Sequence, residues 1–290
     1  MSQIVIIIGA ARSGTKYLRD VLATAPNAAR VPYDINYIWR YGSESHPDDA
    51  LPASLVTDRK SRFIRTQVHR LAGIEPPAST VILEKTVGST LRIPFVDAVF
   101  PEAKFIHLVR DGRAVTESAM RQWQEPMNWR RLFEKVRGLP LQNLGYACWF
   151  ATNFAKGLLS GRGGGRIWGP RYPGIDQDVA QGLDLVEICA KQWHNSVAAA
   201  REDLQSIPAE RQITIRYDAL VGGTDALRQV AEFCGLTNVE SVLEAHRSGV
   251  IAKADDRWRV ALSAGQKARI ESIVAPLLRE LGFSEEGVAA

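Results

Sequence analysis

Two short stretches of this chain carry residue types that grip anions. The first reads Ile4-Val-Ile-Ile-Ile-Gly-Ala-Ala-Arg-Ser-Gly-Thr-Lys16. A β-branched run stops at Gly9, a loop closes at Gly14, and Tyr17, Leu18, Val21 and Leu22 follow at helical spacing. Strand, glycine loop and helix in succession turn several backbone N–H groups toward one anion. The second stretch reads Arg110-Asp-Gly-Arg-Ala-Val-Thr-Glu-Ser118, behind the apolar run Lys104–Val109. An arginine fork at the strand end and a hydroxyl in the second turn of the next helix can hold one phosphate. The competing assignment pairs Arg110 with Asp111 and leaves Ser118 in solvent. Two such turns on one sheet suit a ligand with two separated phosphates.

These residues need a scaffold that brings the turns together. Strands are expected at Ile4–Ile8, Thr80–Leu83, Lys104–Val109 and Gln212–Ile215. Helices are expected at Thr15–Ala25, Ser89–Phe100, Arg113–Trp123, Leu185–Gln205, Thr224–Cys234 and Ala264–Leu281. Strands alternating with helices give an α/β fold, a parallel central sheet flanked by helices. Ligands of such sheets bind beyond the carboxyl ends of the strands. The expected organisation is a single domain over 1–290, with insertions or lids at 33–70 and 124–178. The first insertion is polar, aromatic and irregular in pattern. The second contains Gly161-Arg-Gly-Gly-Gly165 and Trp168-Gly-Pro-Arg-Tyr-Pro-Gly174, loop by composition.

Composition narrows the class. A hydrophobic share of 46% over 290 residues suits a globular protein with its own core. No run is long and apolar enough to span a bilayer, and the N-terminal apolar run reads as a first strand, not a secretion signal. The three cysteines, Cys148, Cys189 and Cys234, are far apart and odd in number, which suggests neither a disulfide framework nor a zinc site. A cytoplasmic setting is the expectation. The charge of +4 suits an anionic ligand without requiring one. His46, His69, His107, His194 and His246 do not fall at metal-ligand spacing, and His107 reads as a hydrogen-bonded core residue. Arg121, Arg130, Arg131, Lys135 and Arg137 read as a solvated face or the rim of a cleft, and no nucleic-acid partner is expected.

Together the two stretches resemble the sulfotransferases that use 3′-phosphoadenosine 5′-phosphosulfate (PAPS). That family has a loop of the type Arg/Lys-Ser-Gly-Thr-Thr and a later turn of the type Arg-Asp-x-Arg-x-x-x-x-Ser. Further similarity lies in Glu84-Lys-Thr86, in Leu91-Arg-Ile-Pro-Phe95, in Ile213-Thr-Ile-Arg-Tyr-Asp-Ala-Leu-Val221, and in Lys253 through Trp258-Arg259. The Trp168–Gly174 loop looks like one in bacterial members. Lys16 departs from the family's second Thr, and Asp218 from its usual Glu.

The resemblance implies a P-loop-like sulfotransferase fold and in-line transfer of a sulfuryl group from PAPS to an acceptor hydroxyl or amine, with 3′,5′-bisphosphate (PAP) as product and no metal. It places Arg12 at the bridging oxygen. Ser13, Gly14, Thr15 and Lys16 would hold the 5′-phosphate, and Arg110, Ser118 and Lys253 the 3′-phosphate. Trp258 would pack near adenine. Lys85 is a second candidate for the sulfuryl oxygens, or else a surface partner of Glu84. The family's His after Lys-Thr is absent, since Val87 stands there. The next carboxylate, Asp34 in Val31-Pro-Tyr-Asp-Ile-Asn-Tyr37, is the candidate general base, or else a cap before a short helix.

Two other functions stay open at this point. One is an ATP-dependent kinase: Gly9-x4-Gly14 has the spacing of a nucleotide-triphosphate P-loop, although that motif ends Gly-Lys-Ser/Thr and this one does not. The other is a non-catalytic binding module on the same fold. The acceptor is left open among small molecule, lipid and carbohydrate, and the oligomeric state is not read from the sequence.

Overall fold

The structure is a computed structural model that describes residues 2–73, 80–124, 168–249 and 256–283. Five strands form one parallel sheet among the described residues: β1 (Gln3–Ile8), β2 (Ala28–Arg30), β3 (Val81–Glu84), β4 (Lys104–Val109) and β5 (Gln212–Arg216), in the order β2-β3-β1-β4-β5. The register sets Ile6 beside both Glu84 and Phe105, and Val109 beside Arg216. Because every pairing is parallel, all strands end at the same edge. The chain leaves β1 toward β2 on one side and leaves β4 toward β5 on the other. Connections therefore diverge between β1 and β4, which is where open α/β sheets form a crevice.

Helices cover both faces: α1 (Thr15–Leu22), α2 (Asn36–Trp39), α3 (Asp58–Ala72), α4 (Ile93–Val99), α5 (Gly112–Gln124), α6 (Ile175–Ala180), α7 (Leu185–Leu204), α8 (Tyr217–Gly222), α9 (Asp225–Cys234), α10 (Val239–Gly249), α11 (Arg257–Ala261) and α12 (Ala264–Glu280). Alternation along β1 divides the core. Ile4, Ile6 and Ile8 pack with Trp39, Ile64, Val68, Phe95 and Leu204 on one face. Val5 and Ile7 pack with Leu18, Leu22, Leu227 and Leu243 on the other. A strand buried on both faces reads as an unbroken apolar run, as Ile4–Ile8 does. A third cluster joins Val115, Trp193, Trp258, Ile270 and Val274, and so ties α5, α7, α11 and α12 together.

The long elements lie where the pattern put them, and the differences have local causes. The expected helix over 89–100 is a 3-10 turn, Val87–Leu91, followed by α4. Pro94 in the first turn of α4 has no N–H, and Arg92 before it sits at φ −150°, so the turn and the helix do not merge. The three-residue edge strand β2 gave no periodic signal. Within 33–70 the irregular pattern conceals a 15-residue helix, α3. Its buried stripe is only Ile64, Gln67 and Val68, among residues that are otherwise mostly charged or polar. Thr57 caps it and Gly73 ends it. Trp39, Ile38 and Leu51 of the same region are buried in the core.

Most of the 124–178 region, with Cys148 and the Gly161–Gly165 tract, lies outside the described residues. Its last part, Trp168–Gly174, is loop as expected and is docked: Arg171 and Asp49 exchange two hydrogen bonds, and Gln192 donates to the carbonyls of Trp168 and Pro170. No helix of the described residues is long and apolar enough to cross a membrane.

His107, in the middle of β4, is buried, but the expected hydrogen bonds are not made: neither ring nitrogen has a partner among the described residues. Burial holds its pKa down at about 4. A histidine whose folded value lies below its unfolded 6.5 contributes stability that is present above pH 6.5 and lost as pH falls through 4. That 2.5-unit gap corresponds to about 3 kcal/mol. We expect His107→Leu to gain several degrees of melting temperature on wild type between about pH 7 and pH 4.5. A difference that stays constant with pH would show that His107 titrates normally.

Candidate active site

The loop after β1 is built for close approach. Gly9 has φ +155°, and a Cβ there would lie 2.5 Å from the Leu108 carbonyl oxygen. The Gly9 N–H donates to Thr90 Oγ1, whose hydroxyl donates back to the Gly9 carbonyl, both at 3.0 Å. Arg12 adopts φ +73°, a left-handed conformation rare outside glycine, as loops that aim a side chain often do. Gly14 caps α1 at φ +92°, with no side-chain cap on the first-turn N–H groups. A Cβ on Gly14 would lie 2.7 Å from the Tyr217 ring. Ser13 is fully buried, and its hydroxyl has no partner among the described residues.

The second turn meets this loop. Arg110, buried at the end of β4, donates from Nη1 to the main-chain carbonyl of Arg12 at 3.0 Å. Arg12 in turn donates from Nε to Ser118 Oγ at 3.0 Å and from Nη1 to Gln122 Oε1 at 3.2 Å. Arg12, Arg110 and Ser118 therefore share one cleft, at the divergence between β1 and β4. Tyr217, just beyond β5, stacks on Arg110 with the guanidinium carbon 4.3 Å from the ring centre. The carboxylate of Asp111 is held by Arg113 at 2.7 Å.

The other expected residues take varied positions. Thr15 is buried at the start of α1. Lys16 points away from the loop: its side chain is 76% exposed and bonds Asp20 at 2.8 Å. Asp20 also takes Arg19 and Arg30, and hydrogen bonds from Lys16 and Arg19 overcome its burial and hold its carboxyl below the usual range. Trp258 is 3% exposed within the third core cluster, with the guanidinium carbons of Arg113 and Arg259 at 4.7 and 5.0 Å from its ring. Lys253 lies outside the described residues.

At the β2–β3 end of the same edge sits an acid–base pair. Lys85 Nζ lies 3.5 Å from Asp34 Oδ2, which also accepts from the Val87 N–H at 3.0 Å. Asp34 Oδ1 accepts from the N–H of Asn36, the first residue of α2, at 3.2 Å, while the N-cap position itself is Ile35. The ion pair of Lys85 is with Asp34. Glu84 is instead fully buried, with Oε1 accepting from the Thr86 hydroxyl at 2.6 Å. Burial pushes its carboxyl up to about 7, and the neighbouring Asp34 charge adds to the shift. Behind it, buried Asp49 accepts from Arg40 at 3.1 Å and from Asn36 at 3.0 Å, while Arg92 reaches Asn36 Oδ1.

Sequence reasoning had assigned no role to Tyr217, Gln122, Thr90 or Glu84. Tyr217 and Thr90 follow strand ends or touch a loop glycine, a signal that a strand-end inspection can find. Gln122 lies one turn beyond Ser118 on α5 and was open to the same spacing argument. A separate cavity of about 500 Å³, lined by Tyr172, Asp178, Lys191, His194 and Ile273 among others, contains none of these residues.

With the geometry described, comparison with known proteins defines the class. The chain belongs to the sulfotransferase family, whose model matches residues 4–151, just over half its length. Two solved structures share the fold. The sulfotransferase domain from the curacin biosynthetic pathway is 15% identical, with 96% of this chain and 98% of that one covered at a TM-score of 0.50. Sulfotransferase STF9 from Mycobacterium avium is 14% identical, with 99% and 78% covered at a TM-score of 0.55. A search of curated proteins finds no match.

Glu84 gives the site a pH signature in stability. Its folded pKa of about 7 lies above the unfolded 4.5, so its contribution is fully present below pH 4.5 and is lost as pH rises through 7. The 2.5-unit gap amounts to about 3 kcal/mol. Glu84→Gln should therefore rise in melting temperature relative to wild type by several degrees between about pH 5 and pH 8. The check is a paired thermal melt across that range, and a flat difference would mean that Glu84 ionises freely.

Proposed function

We propose that this sulfotransferase moves a sulfuryl group from PAPS to an acceptor hydroxyl or amine by in-line displacement. The observation that carries this is the convergence of Arg12, Arg110 and Ser118 in one cleft. A nucleotide phosphorylated at both the 3′ and 5′ positions needs two anion sites, and the residues present fit it. The first turn of α1 is uncapped and the buried Ser13 hydroxyl has no described partner, which leaves donors for a 5′-phosphate. Gly14, Thr15 and Lys16 serve there through their backbone N–H groups, since the Lys16 side chain is drawn to Asp20. Arg110, stiffened by Tyr217, and Ser118 receive the 3′-phosphate. Lys253 is assigned to the same group on resemblance alone. Trp258 acts through Arg113, which it helps to hold.

PAPS supplies an activated sulfuryl group whose leaving phosphate gains negative charge. Arg12 is the cation aimed at that charge; a fixed guanidinium there stabilises the transition state more than the ground state. Two of its hydrogen bonds go to a hydroxyl and an amide, and hydrogen bonds to an anionic oxygen are stronger than either. Lys85 receives the sulfuryl oxygens. Asp34 takes the acceptor proton at Oδ2, the oxygen that faces Lys85. The acceptor is a small molecule, lipid or carbohydrate. The buried free thiols Cys189 and Cys234 support a cytoplasmic setting.

Two features weigh against an ATP-dependent kinase. Lys16, which would have to reach into the phosphate nest, is held outward by Asp20. Asp111, the aspartate that could hold a metal, is occupied by Arg113.

Calorimetry with adenosine 3′,5′-bisphosphate in the presence of a chelator tests the donor assignment. Binding is expected without metal, and Arg110→Ala should weaken it by about 100-fold, the loss of a charge-assisted phosphate contact. Binding of ATP with Mg²⁺ but not of the bisphosphate would favour the kinase. In a screen of hydroxylated acceptors with PAPS, Asp34→Asn should lower kcat by ~100-fold or more and leave bisphosphate affinity near normal. Unchanged turnover in that variant removes Asp34 from the mechanism.

A further inference from the structure

Asp34 lies on a loop, and on its helix side it accepts only from Asn36, the first residue of a four-residue helix. Something must hold it against Lys85. Its neighbour Ile35 is fully buried, and the Ile35 N–H donates to Thr86 Oγ1 at 3.1 Å. The Thr86 hydroxyl has one hydrogen. Because the Ile35 amide can only donate to it, that hydrogen is left for Glu84 Oε1, 2.6 Å away. Glu84 and Thr86 are both fully buried at the end of β3. The chain over 34–35 is thus joined to 85–87 at three points: Ile35 N–H to Thr86, Val87 N–H to Asp34 Oδ2, and Lys85 Nζ to Asp34 Oδ2. Glu84 matters to this join as an acceptor for Thr86, a task that an amide oxygen can also perform.

We propose that Thr86 is a positioning residue that holds Asp34 over Lys85, and that Glu84 orients the Thr86 hydroxyl for that purpose. The assignment rests on the sulfuryl-transfer function above. The hydrogen bonds of the Thr86 hydroxyl run to Ile35 and Glu84, on the Asp34 side of the edge, so its loss should act on turnover and leave donor binding alone. Groups facing Glu84 are Asp34 and Lys85, with the buried Arg92 behind them.

The test pairs calorimetry of adenosine 3′,5′-bisphosphate with release of that product from PAPS, using the best acceptor of the screen, or water where none is found. Thr86→Val keeps the side-chain shape and removes the hydroxyl. We expect kcat to fall about 10- to 100-fold, the scale of a misplaced catalytic group, with bisphosphate Kd within about 3-fold of wild type. Thr86→Ser should recover most of the rate. Glu84→Gln should stay within about 3-fold of wild type, while Glu84→Leu should follow Thr86→Val. Hydrogen exchange gives a readout independent of turnover: the peptide containing Ile35 should lose protection in Thr86→Val and keep it in Thr86→Ser. The proposal is overturned by wild-type kcat in Thr86→Val, by parallel losses of kcat and nucleotide affinity, or by failure of Thr86→Ser to recover. A wild-type protein that binds no bisphosphate overturns the donor assignment instead, and with it the function on which this role rests.

Discussion

Arg110 donates a hydrogen bond to the main-chain carbonyl of Arg12, and the site depends on that join. It crosses from β4 to β1 where the connections of the sheet diverge, and it ties a side chain of one anion turn to the backbone of the other. The surrounding contacts keep the join rigid. Thr90 fixes both polar groups of Gly9, and Tyr217 fills the space beside Gly14 that any larger residue would need. The Trp193 indole N–H holds the Arg110 carbonyl at 3.0 Å. Groups fixed in this way need no rearrangement when charge develops near them, which is the source of most electrostatic rate enhancement.

Charge is sorted along the edge of the sheet. The guanidinium groups of Arg12 and Arg110 stand over β1, β4 and β5, and the carboxyls of Asp34 and Glu84 stand over β2 and β3. Lys85 sits at the boundary. The sorting requires polar groups to be buried beneath the carboxylate end, where Arg40, Asp49 and Arg92 are each at most 2% exposed. Buried ion pairs are weak evidence for stability, because desolvation offsets the attraction. Here their contact with Asn36 gives them a local consequence: they fix α2, and α2 begins two residues after Asp34.

How much of this was legible depended on whether the signal was local. The loop from Gly9 to Gly14 announces itself, because strain, close approach and helix capping all demand particular residues within a few positions. Val109–Arg110 and Ser118 were legible for the same reason. The strand Lys104–Val109 was read to the residue, since a run buried on both faces has no competing pattern. What was hidden was long-range. The Lys16 side chain pairs with Asp20 one turn away, a contact that the loop pattern does not announce. The histidine of β4 was expected to find partners, yet it stands between Ile8 and Thr214 with neither ring nitrogen bonded among the described residues. Trp258, expected near adenine, is packed in a cluster with residues of α5, α7 and α12, a placement set by residues far away in sequence. Helix α3 was missed because three buried positions in fifteen leave little periodic trace.

Asp34 presented a choice in the sequence between cap and base, and its two carboxylate oxygens meet different partners. The two oxygens do different work. Oδ1 takes the Asn36 N–H, which fixes the rotation of the carboxylate, and Oδ2 is thereby directed toward Lys85 and the Val87 N–H. At 3.5 Å the contact with Lys85 is long for a charge-assisted bond. On the proposed assignment, a lysine so loosely held turns to the more strongly anionic sulfuryl oxygens when these arrive. The departure of that cation would then favour proton transfer from the acceptor hydroxyl to Oδ2. That role needs the carboxylate plane held firmly, and the side chain alone cannot do that. The backbone on either side must be pinned, as it is at Ile35 by Thr86 and at Val87 by Asp34 itself.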